Sequence, residues 1–282
     1  VLDYLAVDLM GFEIAASPVS LFITKSVYML MPALVALVFQ WFTHDFSSNK
    51  LLNFNISYLW AVGILAIVFV VMMACPISTI LPGIGFHYGP DQLMAMRNMD
   101  EETAVLFEQG IANVPKYAVI GGTVIAGMIG GCTLKALLSL GEEYGWHNYL
   151  VGLLSGRKFG VVALFTGFVW GIWHMPVVLD GVWYPQHPQM GVLMMCIVCL
   201  LAGTLNLYFL LKTRSVILVA MMHGTIDGIS GLVLLMTDGG SDLTNGVTGL
   251  GGILTTSIVL IGIYVYDTYV SKERIMSSPI EI

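Results

Sequence analysis

The sequence predicts an all-α fold: a polytopic transmembrane helical bundle of about seven or eight spans enclosing an intramembrane polar cavity. Three observations lead there. The 282-residue chain is 57% hydrophobic and 10% charged, with a mean hydropathy of +0.86, whereas soluble domains carry about 25% charged residues. Its apolar residues come in runs close to the roughly 20 residues that cross a hydrocarbon core. Ionisable groups enter these runs at few places, chiefly Glu142, Glu143, His174 and His223, with Asp227 one helical turn beyond. Such a group costs roughly 2.5–3.5 kcal/mol at bilayer depth unless it faces a wet, protein-lined cavity. Their occurrence on three separate helices therefore points to one polar site inside the membrane.

The elements follow in order. Residues 1–19 mix acids with Leu, Met and Phe and end near Pro18, the pattern of an interfacial helix. Spans are expected at 20–42, 57–81, 116–139, 158–180, 189–211, 214–236 and 248–270. Residues 142–156 read as a further helix that either prolongs the third span or stands alone, which leaves the count at seven or eight. The first apolar run begins near Ser20 and is long enough to stay in the membrane, so no cleavable leader is expected. The whole chain, 1–282, reads as a single membrane domain, with a catalytic core over about 115–240 and accessory helices over about 1–114.

Charge sets the orientation and excludes some partners. The net charge is −7 and no basic stripe is present, so nucleic acid is not an expected partner. Arg157 and Lys158, Lys212 and Arg214, and Lys272 and Arg274 mark three segments that the positive-inside rule places in the cytoplasm, with the C-terminus. Loops 181–188 and 237–247 contain no Lys or Arg, and the long acidic loop 82–115 is expected on their side. The protein is thus expected to be an integral multi-pass membrane protein, in the cell membrane if its source is prokaryotic. Cys75, Cys132, Cys196 and Cys199 fall in or beside apolar helices and read as small core residues.

Three short motifs carry the candidate chemistry. The first is Gly141-Glu142-Glu143-Tyr144-Gly145-Trp146-His147. Adjacent glutamates on a helix point about 100° apart, so one aims at the bundle axis while the other supports it or meets the interface. The second is Trp170-Gly171-Ile172-Trp173-His174-Met175-Pro176, in which Trp170 and His174 share a helix face and Pro176 can open the helix at a cavity. In the third, His223-Gly224-Thr225-Ile226-Asp227, the two polar residues are again four apart and suit a ligand pair, an oxyanion-stabilising pair or a carboxylate-oriented histidine. At 1.5 Å per residue, Glu142 lies roughly 20 Å from Arg157, His174 roughly 24 Å from Lys158, and His223 roughly 14 Å from Arg214. The three sites therefore converge in depth. Each helix also carries a pair of small residues four apart: Gly141/Gly145, Gly167/Gly171 and Gly224/Gly228.

These motifs resemble those of the CPBP intramembrane proteases, the CAAX protease and bacteriocin-processing or Abi family, which includes type II CAAX prenyl endopeptidases. That family carries Glu-Glu-x-x-x-Arg, Phe-x-x-x-His and His-x-x-x-Asn/Asp on successive helices. This chain is similar in Glu142-Glu143, Trp170-x-x-x-His174 and His223-x-x-x-Asp227. It departs at His147, which stands where the family has Arg, and at Trp170, which stands where it has Phe.

The resemblance implies an endopeptidase acting near the cytoplasmic side of the bilayer, with Glu142 activating water, His174 assisting, and His223 with Asp227 stabilising the oxyanion. Glu143, His147 and Trp170 would support these four. The expected substrate is a membrane-associated peptide or a lipidated protein tail, and a pocket lined by Trp170, Trp173, Met175 and Met222 would suit either. No cofactor is favoured; a zinc site held by Glu142, His174 and His223 stays open as the alternative, although no His-Glu-x-x-His helix is present. A second class also stays open: an immunity or signalling partner, or a transporter, on the same scaffold.

Overall fold

The computed structural model describes residues 18–97 and 101–282. The interfacial helix expected in the first 17 residues lies outside them, as do Asp3, Asp8, Glu13 and Asp100. The chain forms helices α1 (Pro18–Thr43), α2 (Tyr58–Ser78), α3 (Asp91–Met96), α4 (Glu101–Ile111), α5 (Lys116–Gly131) and α6 (Leu134–Glu143). A π-helical stretch, Tyr144–Leu150, carries α6 into α7 (Val151–Leu153). There follow α8 (Phe159–Trp173), α9 (Met175–Leu179), α10 (Pro188–Thr213), α11 (Val216–Ile229), α12 (Gly231–Met236) and α13 (Leu250–Tyr269). Strands β1 (Ile84–Phe86) and β2 (Thr237–Gly239) pair antiparallel, with Gly85 opposite Asp238.

The membrane-crossing count differs from the expected seven or eight. Among the described residues, five helices are long and apolar enough to cross: Ser26–Thr43, Tyr58–Ser78, Pro188–Thr213, Val216–Met236 and Leu250–Tyr269. A sixth is reached if α4 and α5, bent by 113°, act as one span. Two expected spans fall short for local reasons. The stretch 116–139 breaks after Gly130-Gly131, poor helix formers, where Thr133 leaves helical geometry at φ −125°, ψ −103°. Residues 134–139 therefore belong with 142–153 in a separate helix. The stretch 158–180 yields only the 15-residue α8, because the chain breaks at His174 ahead of Pro176, whose ring cannot continue the hydrogen-bond ladder.

The loops sort cleanly to two ends. At one, the C-terminal tail pairs with the α7–α8 turn: Ile280 N–H donates to Arg157 O at 2.8 Å and Phe159 N–H to Ser278 O at 3.2 Å. Lys212 bridges to Glu273 at 2.9 Å, and Arg214 donates to the backbone of Glu281. All three basic segments thus share one end. At the other, the long loop meets the 237–247 loop through β1 and β2, and Asp242 accepts from the backbone of Gln186 and His187. There Tyr184, fully buried, donates to Thr248 O at 2.7 Å, and burial raises its hydroxyl pKa above the usual range.

Close helix crossings set the site's position. A Cβ on Gly224 or Gly228 would lie 2.6 Å from Gly131 O or 2.7 Å from Gly127 O, so α11 rests directly on the backbone of α5. Gly141 and Gly145 meet Met29 and Pro32 of α1 in the same way, and Gly167 and Gly171 meet Leu200 and Cys196 of α10. All three small-residue pairs are contacts at which only the absence of a side chain permits the observed approach. Around them, Ile67, Val162, Leu207, Leu218 and Leu260 bring α2, α8, α10, α11 and α13 into one apolar core.

Candidate active site

The first motif turns inward through the π-helical stretch. Such stretches are rare and concentrate at functional sites. This one is tied down by polar contacts to α1 and the loop after it: Tyr144 Oη lies 2.6 Å from Gln40 Oε1 and 2.7 Å from Asn49 Oδ1, and Asn148 donates to Asn49 Oδ1 at 3.2 Å. Gln40, fully buried, completes the group by donating to Ser48 and Asn49 at 3.1 Å each. Hydrogen-bonded side chains of this kind rigidify a buried region. The backbone carrying Glu142, Glu143 and His147 is therefore held from behind.

Glu143 is fully buried. One oxygen, Oε1, faces His223 Nδ1 at 2.7 Å and accepts from Asn206 Nδ2 at 3.4 Å; the other, Oε2, meets His147 Nδ1. The second ring nitrogen of His147 faces Gly203 O at 3.3 Å. Both nitrogens of this buried ring thus look at acceptors, and a ring with a proton on each donates to both. His147 makes the contact to Glu143 that their i, i+4 spacing allows.

Glu142 sits in a different setting. Its Oε2 accepts from Trp170 Nε1 at 2.7 Å, while Oε1 accepts no hydrogen bond from any described residue. His174 Nδ1 lies 3.0 Å from Trp170 O and 3.6 Å from Cys199 Sγ. A carbonyl oxygen can only accept, so Nδ1 carries the proton and Nε2 of the neutral ring is left with its lone pair. Glu142, His174 and His223 are all buried, and the Trp170 ring lies 5.8 Å from that of His174 and 5.4 Å from that of His223. The three motifs therefore meet around one indole.

Asp227 lies at the margin. Its Oδ2 is 3.7 Å from His223 Nε2, and its side chain is 43% exposed. Lys135 Nζ donates to the Asp227 carbonyl at 2.9 Å, and Arg97 from the long loop donates to Ser230 Oγ at 2.9 Å. The exposed edge of the site is thus on the loop-bearing half of the bundle, away from the basic end. Beside His223 and Trp170 a cavity of about 40 Å³ runs between α2, α10, α11 and α13, lined by Ile67, Leu201, Ile226 and Ile253, with Asn206 as a further polar wall. That is room for a water or two. Of the expected pocket of Trp170, Trp173, Met175 and Met222, only Trp170 lines this cavity; Met222 is fully buried and Met175 is exposed.

Four contributors lay beyond the motifs. Asn206 is a lone amide in an apolar helix, Cys199 reads as a small core residue, and Arg97 belongs to the long loop. Tyr28 comes from α1, where the sequence shows only hydrophobicity. It stacks on Trp173 with centroids 4.6 Å apart and bonds to the Trp173 carbonyl. A buried polar residue in a span was the available signal for Asn206; the other three carry none.

His223 directs Nδ1 to Glu143, Glu142 accepts from Trp170 through Oε2, and His174 directs Nδ1 to a carbonyl, contacts that metal-ligating side chains also make through their second polar atom. Among the described residues, no group of three or more His, Cys, Asp or Glu side chains is arranged to hold a metal ion. No step below is routed through a metal.

No curated protein and no solved structure matches the chain. Residues 113–229, a span that starts just before α5 and ends with α11, match the family model described as Type II CAAX prenyl endopeptidase Rce1-like. The match contains all three motifs, and with the several apolar helices it supports a peptidase integral to a membrane. By that match residues 113–229 are similar to the CAAX protease, or CPBP, family.

Proposed function

We propose that the protein is an intramembrane endopeptidase whose general base is Glu142. The observation that carries this reading is the contrast between two adjacent carboxylates. Both oxygens of Glu143 are occupied by His147, His223 and Asn206, whereas Glu142 keeps Oε1 without a protein partner among the described residues. Glu143 is built to hold the site together, and Glu142 to accept a proton.

In the proposed reaction, water bound between Glu142 and His174 gives a proton to Glu142 Oε1 as its oxygen attacks the peptide carbonyl. His174 Nε2, left with its lone pair by the Trp170 carbonyl, orients that water. The oxyanion is met by His223 Nε2, which must carry a proton to donate; Glu143 and Asp227 provide its counter-charges. The proton held by Glu142 then passes to the leaving amine. A low-dielectric setting suits a carboxylate to this exchange.

For substrate, the resemblance to type II CAAX prenyl endopeptidases implies prenylated protein tails held in the membrane, and the small cavity beside His223 has room for the attacking water. The side of cleavage follows from the exposed edge. With the basic end cytoplasmic, Asp227 and Lys135 would open toward the opposite face, so a cytoplasmic C-terminus and cleavage near the cytoplasmic side do not sit together. We favour opening on the loop-bearing side. The test of the function is cleavage of a membrane-tethered peptide by purified protein, abolished in Glu142→Ala and insensitive to chelator. Retained cleavage in that variant would place the base elsewhere, and no cleavage by the wild type would leave a non-catalytic scaffold.

A further inference from the structure

Trp170 adjoins Glu142, His147, His174 and His223. Its N–H donates to Glu142 at 2.7 Å, its carbonyl faces His174, and its ring lies 6.3, 5.8 and 5.4 Å from the rings of His147, His174 and His223. It is 6% exposed. The helix beneath it cannot move easily, because Gly167 and Gly171 place its backbone directly on Leu200 and Cys196. An indole N–H is a donor only, and at this burial it needs its acceptor. A phenylalanine ring at the same position would pack but could not donate.

The last torsion of a glutamate side chain is broad and roughly two-fold, so a free carboxylate exchanges its oxygens readily. Here the exchange is blocked on one side. We infer that Trp170 is a positioning residue whose N–H anchors Oε2 of Glu142, so that Oε1 alone is presented to the water that is activated. The inference rests on the reading of Glu142 as the base.

The decisive comparison separates the ring from its N–H. Replacement of Trp170 by 3-benzothienylalanine keeps the bicyclic shape and removes only the donor; Trp170→Phe removes the donor and part of the ring; 5-fluorotryptophan keeps both. On a fluorogenic, membrane-tethered peptide, the first two should lower kcat by about 10–100-fold, the cost of a misplaced catalytic group, with KM within about twofold, and 5-fluorotryptophan should restore the wild-type rate. Full activity with 3-benzothienylalanine beside a loss in Trp170→Phe would make Trp170 a packing residue and overturn the inference, while the base assignment stood. Thermal melts of the same variants with and without Glu142→Ala give a readout that needs no substrate. Removing either partner should account for most of the loss from removing both, whereas strictly additive shifts would show that no bond couples them. Absence of cleavage by the wild type would defeat the protease reading alone and leave the melts to decide on the bond.

Discussion

His223 Nδ1 lies 2.7 Å from Oε1 of Glu143, not of Glu142, so the third motif is anchored by the second glutamate of the first. Glu143 is fully buried between two histidines and Asn206. Removing one partner of a buried ionic group costs about 3–5 kcal/mol, because the others are left uncompensated. Glu143→Ala should therefore lower the melting temperature in detergent far more than Glu142→Ala, which frees a single indole donor at about 1–3 kcal/mol. Equal shifts in the two melts would mean that Glu143 does not hold the cluster together.

Activity should rank differently from stability. Glu142→Ala, His174→Ala and His223→Ala should each reduce hydrolysis by about 10²–10⁴-fold, the range for loss of a general acid or base. Expression and extraction should stay close to wild type in Glu142→Ala and His174→Ala, whereas His223→Ala, which takes a partner from the buried Glu143, should also lower the melting temperature. Glu142→Gln is the sharper variant, since its amide can no longer take a proton. Normal turnover in Glu142→Gln would show that the base lies elsewhere.

How much of this was legible in the sequence depends on whether a residue's role is local. The i, i+4 pairs were readable because helix geometry brings them together: Glu143 with His147, and His223 with Asp227. The Gly pairs were readable as close crossings for the same reason. What was not readable came from packing between distant helices. Nothing in the spacing says that His223 meets Glu143 across 80 positions, that Tyr28 stacks on Trp173, or that Asn206 completes the carboxylate's shell. The span count went astray at Thr133 and His174, where backbone breaks interrupt runs whose hydropathy is continuous.

The helix crossing beneath the third motif provides a control on fold rather than chemistry. A Cβ at Gly224 would sit 2.6 Å from the backbone oxygen of Gly131, which has no rotamer by which to withdraw. Gly224→Ala should destabilise by about 1–3 kcal/mol, as overpacking does. Gly121 in α5 faces open space, and Gly121→Ala should be neutral or gain up to about 1 kcal/mol from helix propensity. A Gly224→Ala protein that melts with the wild type would mean that α5 and α11 are farther apart than described.

Sidedness separates the two topological expectations. Glu102, in the long loop, and Lys272, in the tail, lie at opposite ends of the bundle, and Lys135 sits at the edge of the site. In a background with Cys132 and Cys196 replaced by Ser, single cysteines at 102, 135 and 272 can be treated with a membrane-impermeant maleimide. Residue 135 should label from the same side as 102, with 272 labelling from the other. Joint labelling of 135 and 272 from one side would return the opening to the basic end.

His147 holds the buried Glu143 from one helical turn away. Its Nδ1 meets Glu143 and its Nε2 faces Gly203 O. Around it stand Glu143 on its own helix, Asn206 of α10, His223 of α11 beyond the carboxylate, and the Trp170 ring of α8 at 6.3 Å. His147→Ala removes one partner of a buried carboxylate, a loss of about 3–5 kcal/mol, and should lower the melting temperature in detergent. His147→Gln, whose amide can still donate, should recover part of that loss. Equal melts of the wild type and His147→Ala would leave His147 as a packing residue with no share in holding Glu143.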